Sequence, residues 1–331
     1  MKKVAVVGLG NISDRHRRNL KQLFPKARLY CMSASGRIPG EVISNADQLV
    51  SSLEVLIEEQ VELVIVASPA PFHAAHAVPL IEAGIPVLIE KPVTATVEDA
   101  KALQEAATRY RTPVAVGYCL RYLPSLQEIK KILTSGKLGQ LYHSSVEIGQ
   151  YLPDWRPSKD YRASVSARAE LGGGALLELS HELDYTRWLL GDITLEHAVL
   201  RKTQELGLDV EDSVDLMLST REKAVVHVHL DFLQRKAYRQ CRFVGSCGAM
   251  EWDLMDNEIR FISTQENQVL YSAPQWDKNQ MYTAMIMDFV ARINNQPNQC
   301  VPLAEALENI ELIEQIKMRY PITLVPGDLK G

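Results

Sequence analysis

Two rhythms of hydrophobic residues divide the 331-residue chain. They predict an α/β fold class: a doubly wound parallel sheet first, then an α+β domain with a large, mainly antiparallel open sheet. Short apolar runs of the kind buried on both faces, such as Val4-Ala5-Val6-Val7, alternate with amphipathic helical stretches as far as Gly117. Beyond residue 120 that alternation stops, and long strand-like stretches follow, among them Val214 to Ser219 and Ala224 to Leu230. The length suits two domains. We place them at 1–120 and 121–331, with the C-terminal helix free to pack back on the first.

The opening strand stops at Gly8-Leu9-Gly10. Asn11 to Phe24 then reads as a helix, with Ile12, Leu20, Leu23 and Phe24 near one face, Arg15, Arg17, Arg18 and Lys21 elsewhere, and Pro25 as its end. A strand is expected near Arg28 to Met32, a helix near Leu53 to Glu59 and a strand over Leu63 to Ala67. Next come a helix over Phe72 to Ala83, a strand over Val87 to Glu90, a helix over Val97 to Tyr110 and a strand over Val114 to Gly117. Such alternation winds helices about a parallel sheet.

In the second half, Leu126 to Leu133 reads as an amphipathic helix, closed by a Gly136/Gly139 break. Gly172-Gly173-Gly174 opens a helix over Ala175 to Leu190, with Leu176, Leu179, Leu183 and Leu190 at core spacing and Gly191 as its stop. Glu178, His181 and Asp184 fan over the other side of that helix. His227 and His229 alternate with Val226, Val228 and Leu230, so one sheet face meets a helix layer and the other is available to a partner. A homodimer or homotetramer through this C-terminal sheet is expected.

Composition excludes several classes. Hydrophobic residues make up 46% and charged residues 23%, which is ordinary for a globular chain. With 36 basic against 41 acidic residues, the net charge of -5 supplies no field for nucleic acid or an anionic membrane. No segment approaches the roughly 18 apolar residues of a membrane helix. Val4 to Leu9 is too short and leads into too polar a stretch for a signal peptide. Cys31, Cys119, Cys241, Cys247 and Cys300 show no CxxC spacing and read as reduced thiols of a cytoplasmic protein.

Gly8-Leu9-Gly10-Asn11-Ile12-Ser13 sits at the first strand-to-helix turn. There, bare backbone lets a pyrophosphate approach the positive end of a helix, although Ser13 replaces the usual third glycine. An NAD site places a carboxylate about 20 residues further on to hold the ribose 2'-hydroxyl. Here that stretch is Met32-Ser33-Ala34-Ser35-Gly36-Arg37, whose hydroxyls and guanidinium suit a 2'-phosphate. The cofactor is therefore NAD(P), with NADP favoured over NAD; the competing reading of Ser33, Ser35 and Arg37 is a polar surface loop.

Five separated segments carry a resemblance. They are Val4 to Ser13; Leu63 to Ser68-Pro69 with His73; Ala83-Gly84 leading to Glu90-Lys91-Pro92-Val93; Val116-Gly117-Tyr118 before Arg121-Tyr122; and Gly172-Gly173-Gly174 leading to His181 and Asp184. Together the chain resembles the glucose-fructose oxidoreductase / inositol dehydrogenase (Gfo/Idh/MocA) family of two-domain, nicotinamide-dependent sugar oxidoreductases. The resemblance implies an N-terminal Rossmann domain whose cofactor contacts come from Gly8, Gly10, Asn11, Ile12, Ser68, Pro69, His73 and Glu90. It also makes Lys91 a catalytic group and His181 the acid/base, with Asp184, Glu178 and Tyr118 on the substrate side.

Physically, Lys91 lies beyond a strand's C-terminal end, where ligands of open α/β sheets bind, and its ammonium can stabilise developing alkoxide charge. An imidazole such as His181 titrates near neutral pH and can move the hydroxyl proton. Family members commonly carry Asp, three residues and then His; Glu178-Leu179-Ser180-His181 is one residue shorter. No metal is expected: the second histidine of a zinc-protease pattern is Tyr185, and His73 with His76 lacks a third ligand.

Tyr151 to Arg162, including Trp155 and Arg162, mixes aromatics that suit sugar faces with cations that suit carboxylate or phosphate. The segment resembles a branch of the family associated with bacterial surface sugars. An acidic or nucleotide-linked sugar and a neutral sugar both remain open as substrate. The expected reaction is hydride transfer between nicotinamide and a secondary alcohol or ketone. A redox-neutral lyase or hydrolase that recycles its nicotinamide, and a non-catalytic nucleotide sensor, are the competing readings.

Overall fold

The computed structural model describes residues 1–326; residues 327–331, the end of the expected second domain, lie outside the described residues. Along the chain run β1 (Lys3–Val7), α1 (Asn11–Leu23), β2 (Arg28–Met32), β3 (Gln48–Val50), α2 (Leu53–Glu58), β4 (Val64–Val66), α3 (His73–Glu82), β5 (Val87–Ile89), α4 (Val97–Tyr110) and β6 (Val114–Val116). Then come α5 (Pro124–Thr134), β7 (Leu141–Gly149), α6 (Ala175–Glu178), α7 (His181–Leu190), β8 (Ile193–Thr203), β9 (Ser213–Thr220) and β10 (Val225–Asp231). Last are β11 (Tyr238–Gly245), β12 (Gly248–Asp253), β13 (Glu258–Ile262), β14 (Asn267–Ser272), α8 (Gln280–Ile293), α9 (Leu303–Arg319) and β15 (Ile322–Val325).

Two compact units result. One joins Met1–Cys119 to Asn279–Glu311, and the other holds Leu120–Lys278 with the chain from Leu312 on. In the first, six parallel strands are ordered β3-β2-β1-β4-β5-β6, the order in which a dinucleotide-binding sheet reverses beside its first strand. Val4 to Val7 and Val64 to Val66 are buried on both faces, which is why they read as unbroken apolar runs. Strand β3 was not expected. Its three residues are too few to show a period, and its pairing with Tyr30–Met32 supplies the order.

The second unit is built on a nine-stranded sheet in the order β14-β13-β12-β11-β7-β10-β9-β8-β15. Among the described residues only β7 with β10 and β8 with β15 pair in parallel, so the sheet is mainly antiparallel, as the period-two pattern predicts. Val214, Leu216 and Leu218 of β9 and Val226, Val228 and Leu230 of β10 are buried on the face that meets α6. Burying each such side chain contributes about 1.5–3 kcal/mol. Asp215, Met217, His227 and His229 point to the other face.

The helix expected over Ala175 to Leu190 is two helices. Leu179 leaves helical geometry (φ -97°, ψ 25°), and the ladder tightens where the Glu182 N–H reaches Leu179 O at 3.2 Å. Each piece is anchored separately. The carbonyl and carboxylate of Glu211 receive the first amides of α6, while Arg121 and Arg239 hold Asp184 and Glu182 of α7. Arg17, expected off the apolar face of α1, is buried because its Nε donates to Ser44 O and its Nη2 to Asp14.

Candidate active site

The turn from β1 into α1 has the shape of an anion cradle. Gly8 adopts φ +115°, and a Cβ there would sit 2.4 Å from Ala67 O and 2.8 Å from Ser13 Oγ. At Gly10 a Cβ would meet nothing within 4 Å, so the space over the first turn of α1 is open. Among the described residues no side chain caps that turn, so the positive helix end faces an incoming anion. Exposed Asn11 and half-buried Ile12 begin the helix, and Ser13 Oγ donates to Ala67 O at 3.1 Å, tying α1 to the end of β4. These features fit the pyrophosphate of a dinucleotide.

Beyond β2, the loop from Ser33 to Arg37 contains no carboxylate. Ser33 Oγ donates to the Arg37 carbonyl at 2.7 Å, while Ser35 and Arg37 are exposed. Among the described residues the Arg37 guanidinium makes no hydrogen bond or ion pair. His76 connects this loop to the end of β4, with Nε2 3.1 Å from Ala34 O and Nδ1 2.9 Å from Ser68 Oγ. Pro69 starts the short turn that leads into α3.

At the end of β5, Glu90-Lys91-Pro92 forms a turn with a cis Lys91–Pro92 bond. Both flanks are held by buried imidazoles. His73 sets Nε2 2.7 Å from Ser68 O and Nδ1 3.1 Å from the carbonyls of Pro92 and Val93. Burial pushes the His73 pKa down, more than those carbonyls and the Glu90 charge raise it. On the other flank His16 Nε2 lies 2.6 Å from Glu90 Oε1, and Glu90 Oε2 accepts the Lys91 N–H at 3.1 Å.

Burial pushes the Glu90 carboxyl up, but the His16 hydrogen bond and the charges of His16 and Lys91 hold it below the usual carboxylate range. A Cβ at Gly117 would come within 3.2 Å of the Glu90 carboxylate, a contact that would require Glu90 to shift. Tyr118 follows, fully buried. Lys91 itself is half-buried.

The remaining candidates belong to the second unit. Gly174 (φ +105°) would drive a Cβ to 2.4 Å from Glu211 Oε1, and Leu176 N–H donates to that oxygen at 3.2 Å. The triglycine thus accommodates a buried carboxylate that starts α6. Glu178, at the end of α6, accepts from Ser166 Oγ at 3.1 Å. Half-buried His181 is the first residue of α7.

Asp184 does not face outward as the continuous helix implied. It is 1% exposed and bound by both Arg121 Nε and Nη2. Trp155 donates Nε1 to Gln150 O and packs edge-on against Phe232. Arg162 is exposed over the Tyr161 ring, 3.9 Å from Asp160.

The structure therefore gathers Gly8, Gly10, Ser68, His73, Glu90 and Lys91 about the strand ends of one sheet. Glu178, His181 and Asp184 stand on the α6–α7 pair, with Trp155 and Arg162 in the loop after β7. His16, Arg121 and Glu211 were missed as partners of these residues. The spacing Ile12, His16, Leu20 on one helix face was the available signal for His16.

Comparison with known proteins agrees. Residues 2–118 match the oxidoreductase family with an NAD-binding Rossmann fold, and residues 126–251 match the GFO/IDH/MocA C-terminal domain. Inositol 2-dehydrogenase 3 of Saccharopolyspora erythraea is 28% identical over 75% of this chain and 72% of its own length. The rhizopine catabolism protein MocA of Rhizobium meliloti is 32% identical over 40% of this chain and 39% of its own.

Among solved structures, a levoglucosan dehydrogenase in complex with NADH and L-sorbose superposes with a TM-score of 0.81 at 20% identity, covering 96% of each chain. That likeness shows the fold. With a bare-backbone cradle on a six-stranded parallel sheet, the Glu90-Lys91-Pro92 turn at the C-terminal end of its β5, and family matches to both halves, the chain belongs to the GFO/IDH/MocA oxidoreductase family.

Proposed function

We propose that the chain transfers hydride between a nicotinamide dinucleotide and a secondary alcohol or ketone of a sugar or cyclic polyol. The observation that carries this reading is the Lys91 turn. It is clamped on both flanks at the C-terminal end of β5, in the same sheet whose β1–α1 turn fits a pyrophosphate. When bound, the nicotinamide accepts or gives the hydride. In the oxidative direction the Lys91 ammonium donates a hydrogen bond to the substrate hydroxyl oxygen and stabilises negative charge growing on it. The His181 imidazole takes the hydroxyl proton, and returns it in the reductive direction.

Tyr118, Trp155, Glu178 and Asp184 orient the substrate in this reading, Asp184 through its grip on Arg121. The exposed cation Arg162, with its distant carboxylate partner, favours an acidic or nucleotide-linked sugar. Proteins similar to the chain in sequence or fold include inositol 2-dehydrogenases, a levoglucosan dehydrogenase and a UDP-N-acetylglucosamine 3-dehydrogenase of Acidithiobacillus ferrooxidans, which sets the range to screen. The unpaired Arg37 favours NADP as cofactor. We assign the outer sheet face, with Val199, Met217 and Val225 exposed on neighbouring strands, to self-association as a dimer or tetramer in the cytoplasm.

The test is reduction of NAD+ and NADP+ against inositols, anhydrosugars, uronic acids and nucleotide sugars, with Lys91→Met and His181→Ala alongside wild type. Turnover by wild type, with most of it lost in each variant and dinucleotide binding retained, is the expected result. An inert wild type across the panel overturns the reading, and full turnover in either variant removes that residue from it.

A further inference from the structure

We propose that His16 is a positioning residue for Lys91, acting through Glu90. The inference rests on Lys91 being the group that meets the substrate hydroxyl. His16 and Glu90 lie 74 positions apart in sequence, yet the imidazole of one meets the carboxylate of the other at 2.6 Å with both side chains removed from solvent. The second oxygen of that carboxylate receives the backbone N–H of Lys91. A contact made by His16 is thus carried through one carboxylate to the peptide from which the Lys91 side chain springs.

An anchor for α1 alone would not need this chemistry. Burying two ionisable groups is costly, and apolar residues of the same volume often hold a fold as well or better. Among the described residues His16 Nδ1 is buried without a hydrogen-bond partner, a further cost of about 1–3 kcal/mol. The packing around it is specific: the Tyr282 ring of α8 stands edge-on at 6.1 Å, with the Arg15 guanidinium over that ring at 4.6 Å. The groups acting on the Glu90 carboxylate are His16 from α1, Lys91 next in the chain, His73 from α3 and Tyr282 from α8.

Without His16, the burial that pushes the Glu90 carboxyl up is opposed mainly by Lys91. Glu90 then takes up a proton at a higher pH and can turn an O–H away from the Lys91 amide. The Lys91 turn loses a fixed acceptor, and misplacement of a reacting group by about 1 Å lowers turnover by up to roughly a hundredfold.

The experiment compares wild type, His16→Phe and His16→Gln, the last of which keeps a donor near Nε2. Glu90 ionisation is read from its side-chain carboxyl carbon by NMR, assigned by its disappearance in Glu90→Gln, and needs no substrate. In His16→Phe this resonance is expected to titrate at a higher pH. On a turned-over substrate, kcat falls roughly tenfold or more, KM and dinucleotide affinity change less than about twofold, and the acid limb of kcat moves to higher pH. His16→Gln recovers most of the kcat.

A folded His16→Phe with unchanged kcat and unchanged Glu90 titration overturns the proposal. So does an equal kcat loss in both His16 variants with no shift in Glu90. If wild type turns over nothing, the oxidoreductase reading falls, and an unshifted Glu90 titration is then the result that refutes the control of Glu90 by His16.

Discussion

Arg121 grips Asp184 with two hydrogen bonds, Nε to Oδ2 at 2.9 Å and Nη2 to Oδ1 at 2.6 Å, and both side chains are buried. The planar fork of a guanidinium matches a carboxylate in this way, whereas a lysine could not. The pair fastens the segment after β6 to the first turn of α7, three residues beyond His181. Breaking it leaves an uncompensated buried charge. Asp184→Ala is expected to lower stability by about 3–5 kcal/mol, and the double variant Arg121→Met with Asp184→Leu to recover much of that loss. Urea unfolding monitored by circular dichroism measures both.

Cofactor choice is tested at Arg37. An unpaired guanidinium suits a phosphate dianion, so Arg37→Ala should weaken NADPH binding about tenfold, equivalent to about 1.4 kcal/mol, and leave NADH binding unchanged. Paired fluorescence titrations give the answer. Equal losses for both dinucleotides would return the loop to a purely structural role.

Gly174→Ala is expected to destabilise the second unit by about 1–3 kcal/mol, because its left-handed φ and the Glu211 carboxylate both oppose a side chain. Adding Glu211→Ala should relieve the clash but leave the φ cost and the loss of the α6 anchor. Thermal melts of the single and double variants separate the two effects.

Stability at acid pH should depend on Asp231. Burial pushes its carboxyl up, but the His229 hydrogen bond and the N–H groups of Leu233 and Gln234 hold it below the ordinary value. The stabilisation is therefore present above the unfolded pKa of about 3.9 and is lost as pH falls through the lower folded pKa. Asp231→Asn should melt earlier than wild type at neutral pH, with the gap closing below about pH 4.

Thiol chemistry offers a separate check on burial. Cys247 is exposed, whereas burial pushes the thiols of Cys31 and Cys241 up to about 12. A disulfide reagent should label Cys247 rapidly in the native protein and the other four only after unfolding. Cys247→Ser should abolish the fast phase.

Much of the parallel sheet was legible because burial on both faces writes itself as unbroken runs such as Val4 to Val7 and Leu63 to Val66. The turn at Gly8 was legible because its close approach to Ala67 O demands glycine. What stayed hidden depends on contacts between distant residues. The break at Leu179 follows from anchors at Glu211, Arg121 and Arg239, none of which alters the leucine spacing of that segment. Likewise, the run Arg15-His16-Arg17-Arg18 reads as a charged surface, and only the meeting with Glu90 shows why its histidine is inside.

The unit built on the parallel sheet is completed by a distant piece of chain. Val116 donates its N–H to Val301 O at 3.0 Å, Asn279 donates to Asn19 at 2.8 Å, and Tyr282 stands against His16. All three partners lie within Asn279–Glu311, which leaves the ribosome only after the whole of Leu120–Lys278. The first strands made must therefore wait for the last helices before their sheet edge and the surroundings of His16 are closed. Release of a chain cut short before residue 279 would leave the Glu90 pair without its aromatic wall, so the end of synthesis and not its beginning closes the surroundings of His16.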